Sequence, residues 1–164
     1  MGAMIFYYGM LPAVLALGVR SALGHAITRV DQNGVCLQTT GYTCGPAAAV
    51  TCLRALGEAA EEGSVARAAH CSPSFGTDGR VLARTLEGLY RGLHCRYGYF
   101  DSLEALSLPA VADCQITGIG GHYVAVLALE KEYVIVGDPL CGRVRLSREQ
   151  FLAEWKGTAI VFAR

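Results

Sequence analysis

A cysteine at the start of a predicted helix is the residue of this chain that is best placed to act as a nucleophile. Cys44 is followed by Gly45 and Pro46, and then by an alanine-rich run that predicts a helix. Proline suits the first turn of a helix, because the N–H that it lacks would have no partner there. The helix dipole at that end favours the thiolate, the nucleophilic form of cysteine. Gln38, six residues before the cysteine, could donate its side-chain N–H to a developing oxyanion together with the backbone N–H of Cys44.

A thiolate nucleophile needs a base, and of the four histidines in the chain His122 is the best placed. It opens an apolar run, Tyr123–Leu129, that predicts a buried strand. A second apolar run, Tyr133–Gly137, ends at Asp138, and the short link between the two runs predicts a hairpin. In an antiparallel pair the start of one strand lies beside the end of the other, so we expect His122 and Asp138 to meet. The carboxylate would then fix the imidazole tautomer and stabilise the imidazolium.

The elements that must position these residues are helices first and antiparallel strands afterwards, which is an α+β pattern. Apolar spacing and capping residues predict three helices, over Gly45–Leu56, Glu61–Ala69 and Asp78–Leu89. A strand and a short helix capped by Asp101 are predicted next, over Cys95–Phe100 and Ser102–Leu106. Further strands are predicted near Ala110–Gln115, Tyr123–Leu129, Tyr133–Gly137, Arg143–Leu146 and Thr158–Phe162. The nucleophile would come from the helical half and the base from the sheet half, with a cleft between them.

Together these residues resemble the bacteriocin-processing, double-glycine-leader cysteine peptidases, family 39 of the papain-like clan. The resemblance covers about residues 30–164. It rests on Gln-x5-Cys-Gly at Cys44, Gly-His-Tyr-Val-Ala-Val-Leu at His122, and Val-Gly-Asp-Pro-Leu-Cys-Gly-Arg-Val-Arg-Leu at Asp138. Further matching stretches are Pro109–Ala112 and Ser147–Phe151, followed by Trp155. Thr43 precedes the cysteine where transporter-fused members often carry aspartate, so the chain is more similar to stand-alone members.

The resemblance implies a papain-like fold, in which N-terminal helices pack on a C-terminal antiparallel sheet. It also implies a cysteine endopeptidase with a catalytic triad of Cys44, His122 and Asp138, and with Gln38 in the oxyanion hole. The substrate would be a peptide or protein cut after small residues, such as a Gly-Gly leader peptide, with an ABC transporter as a partner and no cofactor. The alternatives are a thiol acyltransferase or amidase on the same fold, and a non-catalytic peptide-binding domain, which the intact set of residues disfavours.

The composition fits one compact domain with an extension. The 164 residues include 14 Lys and Arg and 14 Asp and Glu, which gives a formal net charge of zero. Because there is no basic excess, no nucleic-acid partner is expected. Hydrophobic residues make up 52% of the chain and the mean hydropathy is +0.34, which is high for a soluble domain.

Much of this hydrophobicity comes from the N-terminus. Residues 1–19 carry no charged side chain, and about 20 apolar residues are enough to span a bilayer as a helix. We therefore expect a hydrophobic membrane segment or signal anchor over residues 1–26 and a papain-like cysteine peptidase domain over residues 30–164. This predicts a membrane-associated protein, with the side of the membrane left open. A secretory signal peptide and a buried N-terminal helix are the alternatives.

The chain has seven cysteines, so six remain if Cys44 is the nucleophile. Six could form three disulfides in an exported domain, but three of them are better interpreted as small buried hydrophobic residues: Cys52, Cys95 and Cys114. Cys36 and Cys141 both flank the predicted cleft, so a disulfide between them is geometrically possible. The neighbouring pairs His70-Cys71 and His94-Cys95 match no familiar zinc spacing, and no metal site is expected.

Overall fold

The structure, a computed structural model, describes residues 23, 27–116, 118 and 120–164. The apolar segment predicted over residues 1–26 lies outside the described residues, except for Leu23. That leucine is buried in a small hydrophobic cluster with Ala66 and Cys71.

Four α-helices are found in this part of the chain: α1 (Cys44–Ala55), α2 (Glu62–Ala68), α3 (Gly79–Leu89) and α4 (Arg148–Glu154). Helix α1 is rich in alanine and is buried along most of its length, as expected of a helix in the core. The Asp78 carboxylate caps α3 by accepting two backbone N–H bonds, of 2.9 and 3.0 Å. Helix α4 begins with a capping box formed by Ser147 and Gln150.

The described strands are β1 (Arg29–Val30), β2 (Cys36–Leu37), β3 (His94–Tyr99), β4 (Ala110–Ile116), β5 (Gly120–Leu129), β6 (Tyr133–Asp138), β7 (Gly142–Ser147) and β8 (Trp155–Ala163). Strands β1 and β2 pair as a small hairpin, and the other six form one sheet in the order β3-β8-β4-β5-β6-β7. Every neighbouring pair in this sheet is antiparallel. A short 3-10 helix, Leu103–Ala105, joins β3 to β4.

Hydrophobic cores cover both faces of the six-stranded sheet. On one face, Val111 and Ala125 belong to a core shared with α1. On the other face, Val124 and Val136 pack in a second core with Phe151 of α4. Neighbouring residues of β5 enter opposite cores because side chains alternate along a strand. The central strands β4, β5, β6 and β8 are therefore largely buried on both faces, which leaves the ends of these strands for functional groups.

The predicted α+β architecture is confirmed. Each predicted helix and strand is present, with ends within three residues of those expected. Asp101 does not cap the short helix after β3, since that element is a 3-10 helix preceded by Ser102. The β1–β2 hairpin was not expected, because strands of two residues are too short to show an alternating pattern.

The predicted membrane localisation is contradicted. Among the helices of the described residues, none is both long enough and apolar enough to cross a membrane. The longest of them, α1, has 12 residues. At about 1.5 Å per residue such a helix extends about 18 Å, whereas the hydrocarbon core of a bilayer is about 30 Å thick.

All seven cysteines fall within the described residues, and all are free thiols. The predicted burial of Cys52 and Cys114 is confirmed, and Cys95 is half-buried. Cys36 is buried while Cys141 is exposed, and the structure forms no disulfide between them.

Candidate active site

Cys44 is the first residue of α1 and is half-buried. Burial alone would raise the pKa of its thiol, but hydrogen bonds with the His122 side chain and with the backbone N–H groups of Tyr123 and Gly45 lower that pKa below its ordinary value. The N–H groups of a first helical turn have no partner within the helix, so they are free to face an anion. The sulfur therefore lies where its thiolate form is stabilised.

His122 lies near the start of β5 and is 3% exposed. Its Nε2 lies 2.8 Å from Oδ1 of Asp138, so the ring nitrogen left to face Cys44 is Nδ1. Burial alone would lower the pKa of His122, but its hydrogen bonds with Asp138 and with Cys44 raise the pKa to about 9. Since the pKa values of thiol and imidazole move in opposite directions, this pair favours a thiolate beside an imidazolium.

Asp138 ends β6 and is held by hydrogen bonds of its own. Its Oδ1 accepts the 2.8 Å bond of His122 and a second 2.8 Å bond from the backbone N–H of Leu140. Burial would raise the pKa of Asp138, but the hydrogen bonds from His122 and Leu140 keep it below its ordinary value. The carboxylate is thus charged at neutral pH and fixes the orientation of the imidazole ring.

The pairing of β5 with β6 explains why the histidine and the aspartate meet. The strands are antiparallel, with Ala125 opposite Gly137, so the start of β5 lies beside the end of β6. Gly137 also lets α1 cross β6 closely. A Cβ at this glycine would lie only 3.1 Å from Cγ2 of Thr51 in α1. The helix that carries the cysteine is therefore pressed onto the strand that leads to the aspartate.

Gln38 lies directly after β2 and is joined to the aspartate end of the site. Its backbone N–H donates a 2.9 Å hydrogen bond to the carbonyl of Pro139. Its side-chain Nε2 donates a 2.7 Å bond to the carbonyl of Thr40, and its Oε1 is buried without a partner among the described residues. An amide nitrogen carries two hydrogens, so one N–H of Gln38 remains for another acceptor. The sequence did not predict the bond to Thr40.

Two buried polar side chains near the site were not singled out from the sequence. Glu62, at the start of α2, is fully buried, and its Oε1 accepts bonds from the Thr39 N–H and hydroxyl, of 2.9 and 3.1 Å. Thr77 packs beside Gly45: a Cβ added at Gly45 would lie 3.5 Å from the Cβ of Thr77. A glutamate in the first turn of a helix is ordinary, and so nothing in the sequence marked Glu62 as buried.

His94 does not join this cluster, and no metal centre is indicated among the described residues. His94 lies at the surface, 3.1 Å from Glu87. Among the described residues there is no group of three or more His, Cys, Asp or Glu side chains that could hold a metal ion.

The arrangement of Cys44, His122 and Asp138 can perform nucleophilic chemistry on a carbonyl. A stabilised thiolate can attack the carbon, and the neighbouring imidazolium can protonate a leaving group. The carboxylate keeps the imidazole in the orientation that both steps require.

Comparison with protein families gives one family-level match. The model of the Peptidase C39 family matches residues 32–164. The chain is 33% identical over 129 residues to an uncharacterized protein of Methanothermobacter marburgensis, and the match covers 77% of this chain and 86% of that protein. It is 35% identical over 136 residues to the "Probable functional amyloid protease FapD" of Pseudomonas aeruginosa, with 77% of this chain matched. That match spans only 58% of the length of FapD.

The fold is also found among solved structures. The crystal structure of a double glycine motif protease from an AMS/PCAT transporter, in complex with the leader peptide, superposes with a TM-score of 0.70. The match covers 84% of this chain and 94% of that one, at 17% sequence identity. This likeness supports the papain-like α+β fold.

Proposed function

Because this chain belongs to the Peptidase C39 family, we propose that it is a cysteine peptidase in which Cys44 attacks the scissile carbonyl. The observation that carries the proposal is the continuous line of contacts from the Cys44 thiol through the imidazole of His122 to the carboxylate of Asp138. The pKa of the thiol is lowered and that of the imidazole is raised to about 9, which is the pairing a thiolate nucleophile needs.

The proposed reaction has two halves. The Cys44 thiolate forms a bond to the carbonyl carbon, and the negative charge moves to the carbonyl oxygen. That oxyanion is stabilised by the backbone N–H of Cys44 and the free side-chain N–H of Gln38. His122 then gives its proton to the amide nitrogen as the carbon–nitrogen bond breaks, which leaves a thioester. Water attacks the thioester, His122 takes its proton, and the acid product leaves as the thiolate re-forms.

The proposed substrate is a peptide or protein cut after a pair of glycines at the end of a leader segment. The support is the fold shared with a double glycine motif protease bound to its leader peptide. That neighbour comes from a transporter, so association of this chain with a transporter is part of the same proposal. We assign the peptidase domain to residues 30–164, which includes the whole span of the family match.

A second substrate class has independent support. The match to FapD, a protein whose name describes a functional amyloid protease, covers 77% of this chain at 35% identity. A functional amyloid protein is therefore the alternative substrate.

The proposal is tested by mass spectrometry of peptides after incubation with the wild type and with Cys44→Ala. A peptide with Gly-Gly before the scissile bond should be cut by the wild type only. The same peptide with Leu-Leu at those positions should stay intact, because larger side chains would prevent the near-attack geometry. Thioester formation with another carbonyl donor, without cleavage of any peptide, would instead indicate an acyltransferase or amidase.

A further inference from the structure

Glu62 carries a buried carboxylate that the proposed catalytic steps do not use. It is 0% exposed, and none of the ion pairs among the described residues involves it. Burying a carboxylate without a cation is costly, and an apolar residue of similar volume would avoid that cost. The hydrogen bonds that this carboxylate makes must therefore account for its presence.

Those hydrogen bonds converge on one residue. The Oε1 atom accepts from the backbone N–H of Thr39 at 2.9 Å and from the Thr39 hydroxyl at 3.1 Å. The Oε2 atom is buried and has no partner among the described residues. The backbone N–H of Glu62 donates to the Thr28 hydroxyl at 2.9 Å, which anchors the start of α2. The carboxylate thus holds the residue that directly follows Gln38.

A second set of bonds joins this anchor to the side chain of Gln38. The Thr40 carbonyl accepts both the 2.7 Å bond from Gln38 Nε2 and a 3.3 Å bond from the hydroxyl of Thr43, the residue before Cys44. The backbone N–H of Thr40 in turn donates to the Thr43 hydroxyl at 3.2 Å. The segment 38–43 is therefore fixed at Thr39 by Glu62, at the carbonyl of Thr40, and at Thr43, the residue before α1.

We propose that Glu62 is a positioning residue that holds the segment 38–43, so that the free N–H of Gln38 faces the oxyanion. The inference rests on the proposed function. Hydrogen bonds to a carboxylate are stronger than hydrogen bonds between neutral groups, and Glu62 accepts two of them from Thr39. Without this anchor, the Gln38 amide would sample orientations in which its N–H does not reach the oxyanion, and turnover would fall while peptide binding stayed the same.

The test compares Glu62→Gln with Glu62→Met in the full chain, with the Gly-Gly peptide as substrate. Glutamine keeps one acceptor oxygen, whereas methionine has a similar shape and offers the Thr39 N–H only a weakly accepting sulfur. We expect kcat to stay within about 3-fold of the wild type for glutamine and to fall about 10- to 100-fold for methionine, with KM unchanged. The fall is below the ~10²–10³-fold cost of removing an oxyanion donor outright. Glu61→Gln, at the exposed neighbouring position, is the control; glutamine keeps an oxygen for the 3.4 Å bond from the Thr28 hydroxyl, so this variant should match the wild type.

A double-mutant cycle separates positioning from simple stability. In a Gln38→Ala background the loss caused by Glu62→Met should shrink to less than about 3-fold, because the donor that it orients is already absent. A structural role would lower the melting temperature and leave the loss of kcat unchanged in both backgrounds. An unchanged loss overturns the inference.

A second pair of variants covers the case in which Glu62→Met does not fold. Thr39→Val removes the 3.1 Å hydroxyl bond and keeps the shape of the side chain, and Thr39→Ser keeps the hydroxyl. We expect the valine variant to lose kcat and the serine variant to keep it. If the wild type is active and these two variants have equal kcat values, the inference about Glu62 is overturned while the proposed function stands. A wild type that cleaves no peptide overturns the proposed function, and the inference with it.

Discussion

The ring of Tyr123 packs against Gly45, so the residue after the proposed base touches the residue after the proposed nucleophile. A Cβ at Gly45 would lie 3.2 Å from Cδ2 of Tyr123. The backbone N–H of Tyr123 also helps to lower the pKa of the Cys44 thiol. Because Gly45 has no side chain, α1 can lie this close to β5. This contact therefore sets the distance between the thiol of Cys44 and the imidazole of His122.

Gly45→Ala should reduce kcat about 10-fold, because the added methyl group moves β5 away from the sulfur and small misplacements at a reacting centre are costly. Alanine favours a helix, so the melting temperature should not fall with the activity. Gly88→Ala, at an exposed position of α3, is the matched control, since nothing lies within 4 Å of a Cβ there. Equal kcat values for the two variants would show that the contact with Tyr123 does not set the geometry of the site.

Iodoacetamide near neutral pH should alkylate Cys44 before any other cysteine. Cys141 is the informative comparison because it is more exposed. Burial and the nearby charge of Asp138 raise the pKa of Cys141, whereas the pKa of Cys44 is lowered. Exposure therefore predicts that Cys141 is alkylated first, and thiolate content predicts that Cys44 is alkylated first. Peptide mapping by mass spectrometry after short exposure decides between them. Rapid labelling of Cys141 with Cys44 unmodified would refute the assignment of the nucleophile.

The pH dependence of kcat/KM should be bell-shaped. Activity rises with pH as Cys44 loses its proton, at a pKa below its ordinary value. It falls again as His122 loses its proton, near its pKa of about 9. Asp138 helps to raise that pKa, so Asp138→Asn should move the basic limb to lower pH and reduce the maximum.

Asp113→Asn is the control for this measurement. Asp113 pairs with Lys156 at 3.0 Å and makes no hydrogen bond with His122 in the described part of the chain. Its removal should leave the basic limb where it is. A basic limb that stays in place in Asp138→Asn as well would show that the carboxylate does not control the imidazole.

Gln38→Ala should lower kcat by about 10²–10³-fold and change KM little, because it removes one donor to the oxyanion. Alkylation of Cys44 by iodoacetamide has no oxyanion to stabilise, so its rate should stay close to that of the wild type. Steady-state kinetics and the alkylation rate, measured on the same preparation, test both statements. A parallel loss in the two rates would mean that the glutamine supports the thiolate rather than the oxyanion.

The sequence was sufficient to place His122 beside Asp138, because that placement needs only two apolar runs, a short link and the direction of antiparallel strands. It also indicated that Cys44 would begin a helix, since proline after a Cys-Gly pair is a local signal. Both features depend on residues that are close in sequence or paired by one hairpin.

The contacts of Gln38 and Glu62 could not be predicted in the same way. The bond from Thr39 to Glu62 joins residues 23 positions apart, in a loop whose conformation no periodicity describes. The bond from Gln38 to Thr40 depends on a side-chain rotamer. Such contacts arise from how the loop and helix pack, and charge patterns in a sequence do not record which carboxylate becomes buried.

Strand β8 comes after every other strand in the sequence, yet it lies inside the sheet, between β3 and β4. Its Val161 is opposite both Arg96 and Ala110. During synthesis, β3 has no partner in the sheet, and β4 lacks one of its two, until residues 155–163 have left the ribosome. Domains tend to fold as units as they emerge. Cys44 is therefore synthesised before the sheet that carries His122 and Asp138 can be completed, so the proposed proteolytic activity should appear only after residues 155–163 have been made.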